Sequence, residues 1–214
     1  MRNGERLNPD RQNLKRRVAQ EAATLLYFGI EKEYKQAKLK AAKTLRTSFL
    51  PTNLEVALEL DRTAEENEGP ARTERLIQMR KEALRLMRIL KPFDPVLVGS
   101  VWRGTIHHES DIDIAIHRDN PEAVLKLLKQ DGVKVTQTES VTVTKKGKRK
   151  GSFHIYAELS AHEKTEIKVC DPNEAEVREK CEIYGDEITG LSTQELGKLL
   201  SENPAKRFLP SADQ

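Results

Sequence analysis

Val96-Leu97-Val98-Gly99-Ser100-Val101-Trp102-Arg103-Gly104-Thr105-Ile106-His107-His108-Glu109-Ser110-Asp111-Ile112-Asp113 is the stretch on which both fold and chemistry turn. With Pro95, its opening apolar residues read as a short buried strand. Its end begins Asp111-Ile112-Asp113-Ile114-Ala115-Ile116-His117, where polar and apolar residues alternate as in a half-buried strand. A strand ending in Gly-Ser lets backbone N–H groups approach a phosphate closely, because glycine has no side chain in the way. A helix starting at Ser100 would add free N–H groups and a positive end, both favourable to an anion. The Ser100 hydroxyl adds a donor, and Arg103, one turn on, has the fork to grip the same phosphates. Asp111 and Asp113 are two apart on a strand, so both point to one face. Adjacent carboxylates repel, and a divalent cation relieves that repulsion. Oxygen ligands beside a phosphate substrate point to Mg²⁺ or Mn²⁺.

Each part alone is weak. A lone Gly-Ser is usually a turn, a lone Asp-x-Asp a solvated strand edge, and a lone Arg103 a surface ion-pair partner. The order of the parts carries the signal. An ordinary solvated strand has no reason to set two acids on one face amid Ile112, Ile114 and Ile116.

Upstream the pattern is helical. Leu14, Val18, Ala22, Leu25 and Leu26 recur at helical steps, as do Tyr34, Ala37, Ala41, Ala42 and Leu45, with Gly29 splitting the two runs. Pro51 breaks the chain. Thr52 and Glu55 form a capping-box signature for another helix. The acidic stretch Glu65-Glu66-Asn67-Glu68-Gly69-Pro70 reads as an exposed linker. A further helix is expected from Arg72 to Leu90, with Leu76, Met79, Ala83, Leu86 and Met87 in a broad buried stripe.

Downstream, Asn120-Pro121 opens a helix through Gln130. Val133 to Thr144, Ser152 to Leu159 and Thr165 to Val169 read as strands, with the basic turn Lys145–Gly151 joining the first two. Glu174 to Tyr184 and Thr193 to Leu200 read as closing helices, Ser192 capping the last. The sum is an α+β chain: a mixed β-sheet with helices on one face, preceded by an N-terminal helical region. We expect a helical region at 1–70, a catalytic domain at 71–172 and a helical C-terminal tail at 173–214.

The 214 residues carry a formal net charge of +3, too small to prove a nucleic-acid partner, and aromatic content is low. Cys170 and Cys181 lack metal-type spacing and read as reduced thiols. No apolar run is long enough for a membrane helix, and the N-terminus lacks the apolar core of a signal peptide. A cytoplasmic protein without a membrane partner is expected.

The central stretch resembles the nucleotidyltransferase superfamily, the fold of DNA polymerase β, archaeal CCA-adding enzymes and minimal nucleotidyltransferases. The resemblance rests on Gly99-Ser100, Arg103-Gly104 and Ser110-Asp111-Ile112-Asp113; Gly104-Thr105 adds a likeness to the archaeal CCA-adding form. The motif covers about 20 residues, and the fold likeness runs from Arg72 to Asp171. It implies Mg²⁺-dependent, two-metal transfer of a nucleoside monophosphate from an NTP, ATP among them, to a hydroxyl, with pyrophosphate leaving. Asp111 and Asp113 would hold the ions, and Gly99, Ser100 and Arg103 the nucleotide's phosphates. The family usually supplies a third carboxylate from a later strand. The best candidate is Glu166, its strand expected beside the Asp pair; Glu158 and Asp171 stand behind it. The acceptor would be an RNA 3′ end or a protein side chain. A nucleotide- or RNA-binding module without turnover is the alternative.

Among the remaining residues, Trp102 is expected to pack its helix onto the sheet. His107-His108 reads as a loop, and the basic run Lys145–Lys150 as a solvated hairpin tip that could track an RNA backbone.

Overall fold

The computed structural model describes residues 9–118, 120–145, 148–159, 163–174 and 180–210. It divides into two compact units. The first is residues 1–69 with 107–109 and 182–185; the second is 70–106, 110–181 and 186–214.

The first unit is helical: α1 (Pro9–Tyr27), α2 (Tyr34–Thr44) and α3 (Asn53–Glu68). The split at Gly29 is as expected. This residue takes φ +65°, and Ile30 N–H closes α1 on the Leu25 carbonyl. Alanines dominate the contacts: Ala19, Ala22 and Ala23 of α1, Ala37, Ala41 and Ala42 of α2, and Ala64 of α3, around Val18, Val56 and Leu60. Small side chains let the helix backbones approach closely. The capping box of α3 is present in full, Glu55 N–H donating to Thr52 Oγ1 (3.2 Å) and Thr52 N–H to Glu55 Oε2 (2.6 Å). The expected acidic linker is not a linker. Residues Glu65 to Glu68 finish α3, Gly69 caps it at φ +54°, and α4 starts at Pro70. Glutamates are good helix formers, so acidity alone does not mark a loop.

The second unit holds α4 (Pro70–Ile89), β1 (Val96–Val98), α5 (Gly99–Arg103), β2 (Ile112–His117), α6 (Pro121–Gln130), β3 (Lys134–Lys145), β4 (Lys148–Glu158), β5 (Lys164–Cys170), β6 (Leu191–Ser192) and α7 (Thr193–Glu202). The six strands lie in the order β3-β4-β5-β2-β1-β6. Among the described residues β2 and β5 form the parallel pair and the other neighbours run antiparallel. This is the α+β mixed sheet expected.

Alternation fixes which face is wet. Ile112, Ile114 and Ile116 are buried while Asp113, Ala115 and His117 between them are not. The buried face joins Leu97, Ile155, Ile167 and Val169 to Met79, Leu86 and Met87 of α4, Val124 and Leu128 of α6, and Leu196 and Leu199 of α7 in one core. Full burial of each large aliphatic side chain contributes about 1.5–3 kcal/mol. The opposite face is left for polar groups.

Two further expectations need comment. Of the helix expected from Glu174 to Tyr184, residues 175–179 lie outside the described residues and the rest is not α-helix: Glu174 ends a 3-10 turn begun at Pro172, Lys180 pairs with Glu187 in an isolated antiparallel bridge, and 182–184 form a turn. Beyond Ser152 the β3–β4 hairpin continues without β5, pairing as far as Lys145 and Lys148. The expected basic tip, Lys145–Lys150, thus lies on this hairpin, with Lys146 and Gly147 outside the described residues.

Candidate active site

The site is built where β1 turns into α5 beside β2. Val98 pairs antiparallel with Asp113, so the residue after Val98 stands over the Asp113 side chain. That residue is Gly99, at φ +72°, and a Cβ placed on it would lie 1.9 Å from Asp113 Oδ2. Only glycine accepts both the left-handed backbone and this approach. The glycine therefore brings the Gly99–Ser100 turn and the Asp113 carboxyl into one place.

The turn is closed by Gly104, a left-handed C-cap whose N–H donates to the Ser100 carbonyl at 2.8 Å; Thr105 N–H donates to the same oxygen at 3.0 Å. Trp102 is buried in the core, as expected, and stacks on Phe208 with centroids 6.4 Å apart.

Glu166 of β5 is the register partner of Asp113 in the parallel pair. Asp111, Asp113 and Glu166 thus gather their charges at one spot. The consequence is visible at Asp113, whose carboxyl is pushed up to about 7 by burial first, then by the charges of Glu166 and Asp111. Without a cation this carboxyl holds its proton close to neutrality.

Glu166 is also held from the other side. His154 Nδ1 contacts its carboxylate, and Ser152 Oγ lies 2.7 Å from His154 Nε2. The other acids considered from the sequence are engaged elsewhere. Glu158 takes Lys134 Nζ at 2.6 Å, and Asp171 accepts from Asn173 N–H at 2.8 Å.

Among the described residues no group of three or more His, Cys, Asp or Glu side chains is arranged to hold a metal ion. The donor chemistry nevertheless fits a hard divalent cation. Three carboxylates are the all-oxygen set such an ion takes, and the mutual repulsion felt by Asp113 is what a cation would relieve.

Arg103 is buried, with both guanidinium ends on Asp186 (2.7 and 3.1 Å) and a further bond to the Phe208 carbonyl at 3.1 Å. Asp186 was invisible in the sequence, since an acid in the Gly185-Asp186 turn carries no signal. His107 and His108 group with the helical unit. His108 N–H donates to Glu68 at 2.9 Å, and its ring meets Tyr27 edge-on at 4.4 Å.

Residues 73–184 match the family model of the nucleotidyltransferase domain, which is more than half of the chain. The chain belongs to this family. Within the nucleotidyltransferase domain lie the Gly99–Ser100 turn, the Asp pair and Glu166 together. No curated protein matches the chain. A solved structure of a cytoplasmic RNA terminal U-transferase is similar at 18% identity and a TM-score of 0.27, covering 55% of this chain and 34% of its own. The chain thus spans about a third of that structure's length. At this score the likeness carries nothing about substrate. No described helix is long and apolar enough to cross a membrane.

Proposed function

We propose that this nucleotidyltransferase moves a nucleoside monophosphate from an NTP to a hydroxyl acceptor, an RNA 3′ end or a protein side chain, releasing pyrophosphate. The observation that carries the reading is the approach of Gly99 to Asp113, with Glu166 in register beside it. A side-chain-free turn and a cluster of repelling carboxylates meet there, as transfer from a triphosphate requires.

In this reading Gly99 and Ser100 receive the phosphates through backbone N–H groups and the Ser100 hydroxyl. Asp111, Asp113 and Glu166 are the catalytic acids and would hold two divalent ions, Mg²⁺ or Mn²⁺. Bound there, the ions supply charge neutralisation on the triphosphate and a lowered pKa for the acceptor hydroxyl. The chain's own work is positioning: β1 and β2 fix the turn against the Asp pair, and β5 carries Glu166 to them. Arg103 stands behind the turn, and direct contact with a phosphate requires it to release Asp186. Neither Cys170 nor Cys181 is in a disulfide, which suits the reducing cytoplasm where NTP is abundant.

A second reading, a nucleotide- or RNA-binding module without turnover, is favoured by one observation: Glu166 is engaged by His154. One assay separates the two. The protein is incubated with each α-labelled NTP, Mg²⁺ or Mn²⁺, and total cell RNA and protein, beside the double variant Asp111→Ala, Asp113→Ala. Label in a band, absent with the variant, supports transfer and names the acceptor class. NTP binding without label supports the binding module.

A further inference from the structure

A helix of five residues cannot sustain itself, because nucleation fixes several residues before the first bond repays them. The turn Gly99–Arg103 is such a helix. Its carbonyls are accordingly taken by donors, most of them from elsewhere. Arg80 Nε donates to Val101 O at 3.0 Å and Arg80 Nη2 to Trp102 O at 2.8 Å. Phe208 N–H donates to Arg103 O at 2.9 Å, leaving Ser100 O to the turn's own Gly104 and Thr105.

The same arginine grips a second segment. Arg80 Nη1 donates to Pro204 O at 2.6 Å and Nη2 to Lys206 O at 2.9 Å. Arg80 is fully buried, and among the described residues its partners are these four carbonyls. A buried cation is costly unless its donors are filled, so the two segments must come together in this arrangement. Arg103 repeats the pattern, joined to Asp186 and to Phe208 O while lying over the Trp102 ring at 4.5 Å. Gly104 makes the room. A Cβ there would lie 3.2 Å from Arg207 Cγ and 3.4 Å from both Lys206 O and Arg80 Nη2.

We propose that residues Asn203 to Phe208 form a strap that holds the Gly99–Arg103 turn in place, with Arg80 and Arg103 as its positioning residues. In this arrangement the Arg-Gly of the motif serves the strap, and Arg103 acts on the nucleotide through the turn. The consequence for catalysis rests on the reading of the turn as the nucleotide site; the consequence for the turn itself does not.

The test compares the full chain with Phe208→Ala, Asp186→Asn, Arg80→Lys and Arg80→Met by amide hydrogen exchange. The Gly104 and Thr105 amides report directly, since both donate to Ser100 O. The expected result for Phe208→Ala and Asp186→Asn is about tenfold faster exchange at these amides, with β2 and β5 unchanged. Arg80→Lys should keep more protection than Arg80→Met. In transfer assays KM for the NTP should rise about tenfold, with kcat within about twofold, a split that general unfolding does not produce. Unchanged protection at Gly104 and Thr105, or faster exchange spread equally over the unit, overturns the strap. So does tighter NTP binding in Asp186→Asn, which would mean that Arg103 is a phosphate ligand held back by Asp186. Wild-type protein that binds no NTP, with the localised exchange effect still present in the variants, sinks the transferase reading and supports the strap.

Discussion

Asp113 Oδ2 lies where the Cβ of any residue other than glycine at position 99 would stand, 1.9 Å from that point. This approach ties the Gly99–Ser100 turn to the acids around Asp113 through backbone geometry, independently of any ligand. Gly99→Ala should therefore fail twice, through strain at φ +72° and through displacement of Asp113. The backbone term alone costs about 1–3 kcal/mol. We expect a lowered Tm and loss of NTP binding, measured by thermal unfolding and nucleotide titration. Wild-type affinity in this variant would contradict the assignment of the turn.

The raised carboxyl of Asp113 gives a pH dependence of definite sign. Its folded value, about 7, lies above its ordinary value of 3.8, so between them the folded chain holds a proton that the unfolded chain has released. Stability then falls as pH rises through that window. In EDTA, urea unfolding should show this decline from about pH 4 to about pH 7. Asp113→Asn should flatten it. Parallel profiles for the two proteins would mean that Asp113 is not the group responsible.

Divalent cations should reverse the penalty. Mg²⁺ or Mn²⁺ bound to the acids of the folded state stabilises it by mass action, about 2.7 kcal/mol at a hundredfold excess over Kd. For a chain of this size that is a Tm increase of roughly 5–10 °C. The increase should shrink in Glu166→Gln and vanish in Asp111→Ala, Asp113→Ala. Magnesium and manganese scans by calorimetry, with and without NTP, would show it. An equal increase in all three proteins would point to ion binding elsewhere.

Thr52→Ala provides a contrast. It removes the capping box of α3, in the other unit, and should cost about 1 kcal/mol. Transfer activity below the melting range should be unaffected. A large activity loss with an intact fold would assign the helical unit a part in the reaction.

Features encoded over a few neighbouring residues were legible. The capping box at Thr52, the cap at Ser192, the break at Gly29 and the alternation of β2 each follow from local chemistry. Gly99, Ser100 and the Asp pair were legible because they sit in one stretch. The placement of Glu166 came from resemblance, since no local pattern says which later strand will pair with β2. Arg80 and Asp186 were not legible. On α4 an arginine among apolar residues reads as part of the wet face, and nothing in its neighbours announces four distant carbonyls. β6 is two residues long, too short for any periodicity to register. The acidic end of α3 misled because glutamate is at home both in water and in a helix.

The direct pairing of β2 with β5 has one more consequence. Between His117 and Lys164 the chain runs through α6 and the β3–β4 hairpin, which adds two strands at the β5 edge of the sheet, before β5 sets Glu166 beside Asp113. Among the described residues the hairpin from Thr142 to Gly151 pairs only within itself, and lengthening a loop there costs only a logarithmic entropy increment. Insertions there can be tried, grafted or exchanged without re-registering a single acid. If the proposed transfer holds, that end of the hairpin is the part of the chain in which acceptor preference can be tuned while Asp113 and Glu166 stay in register.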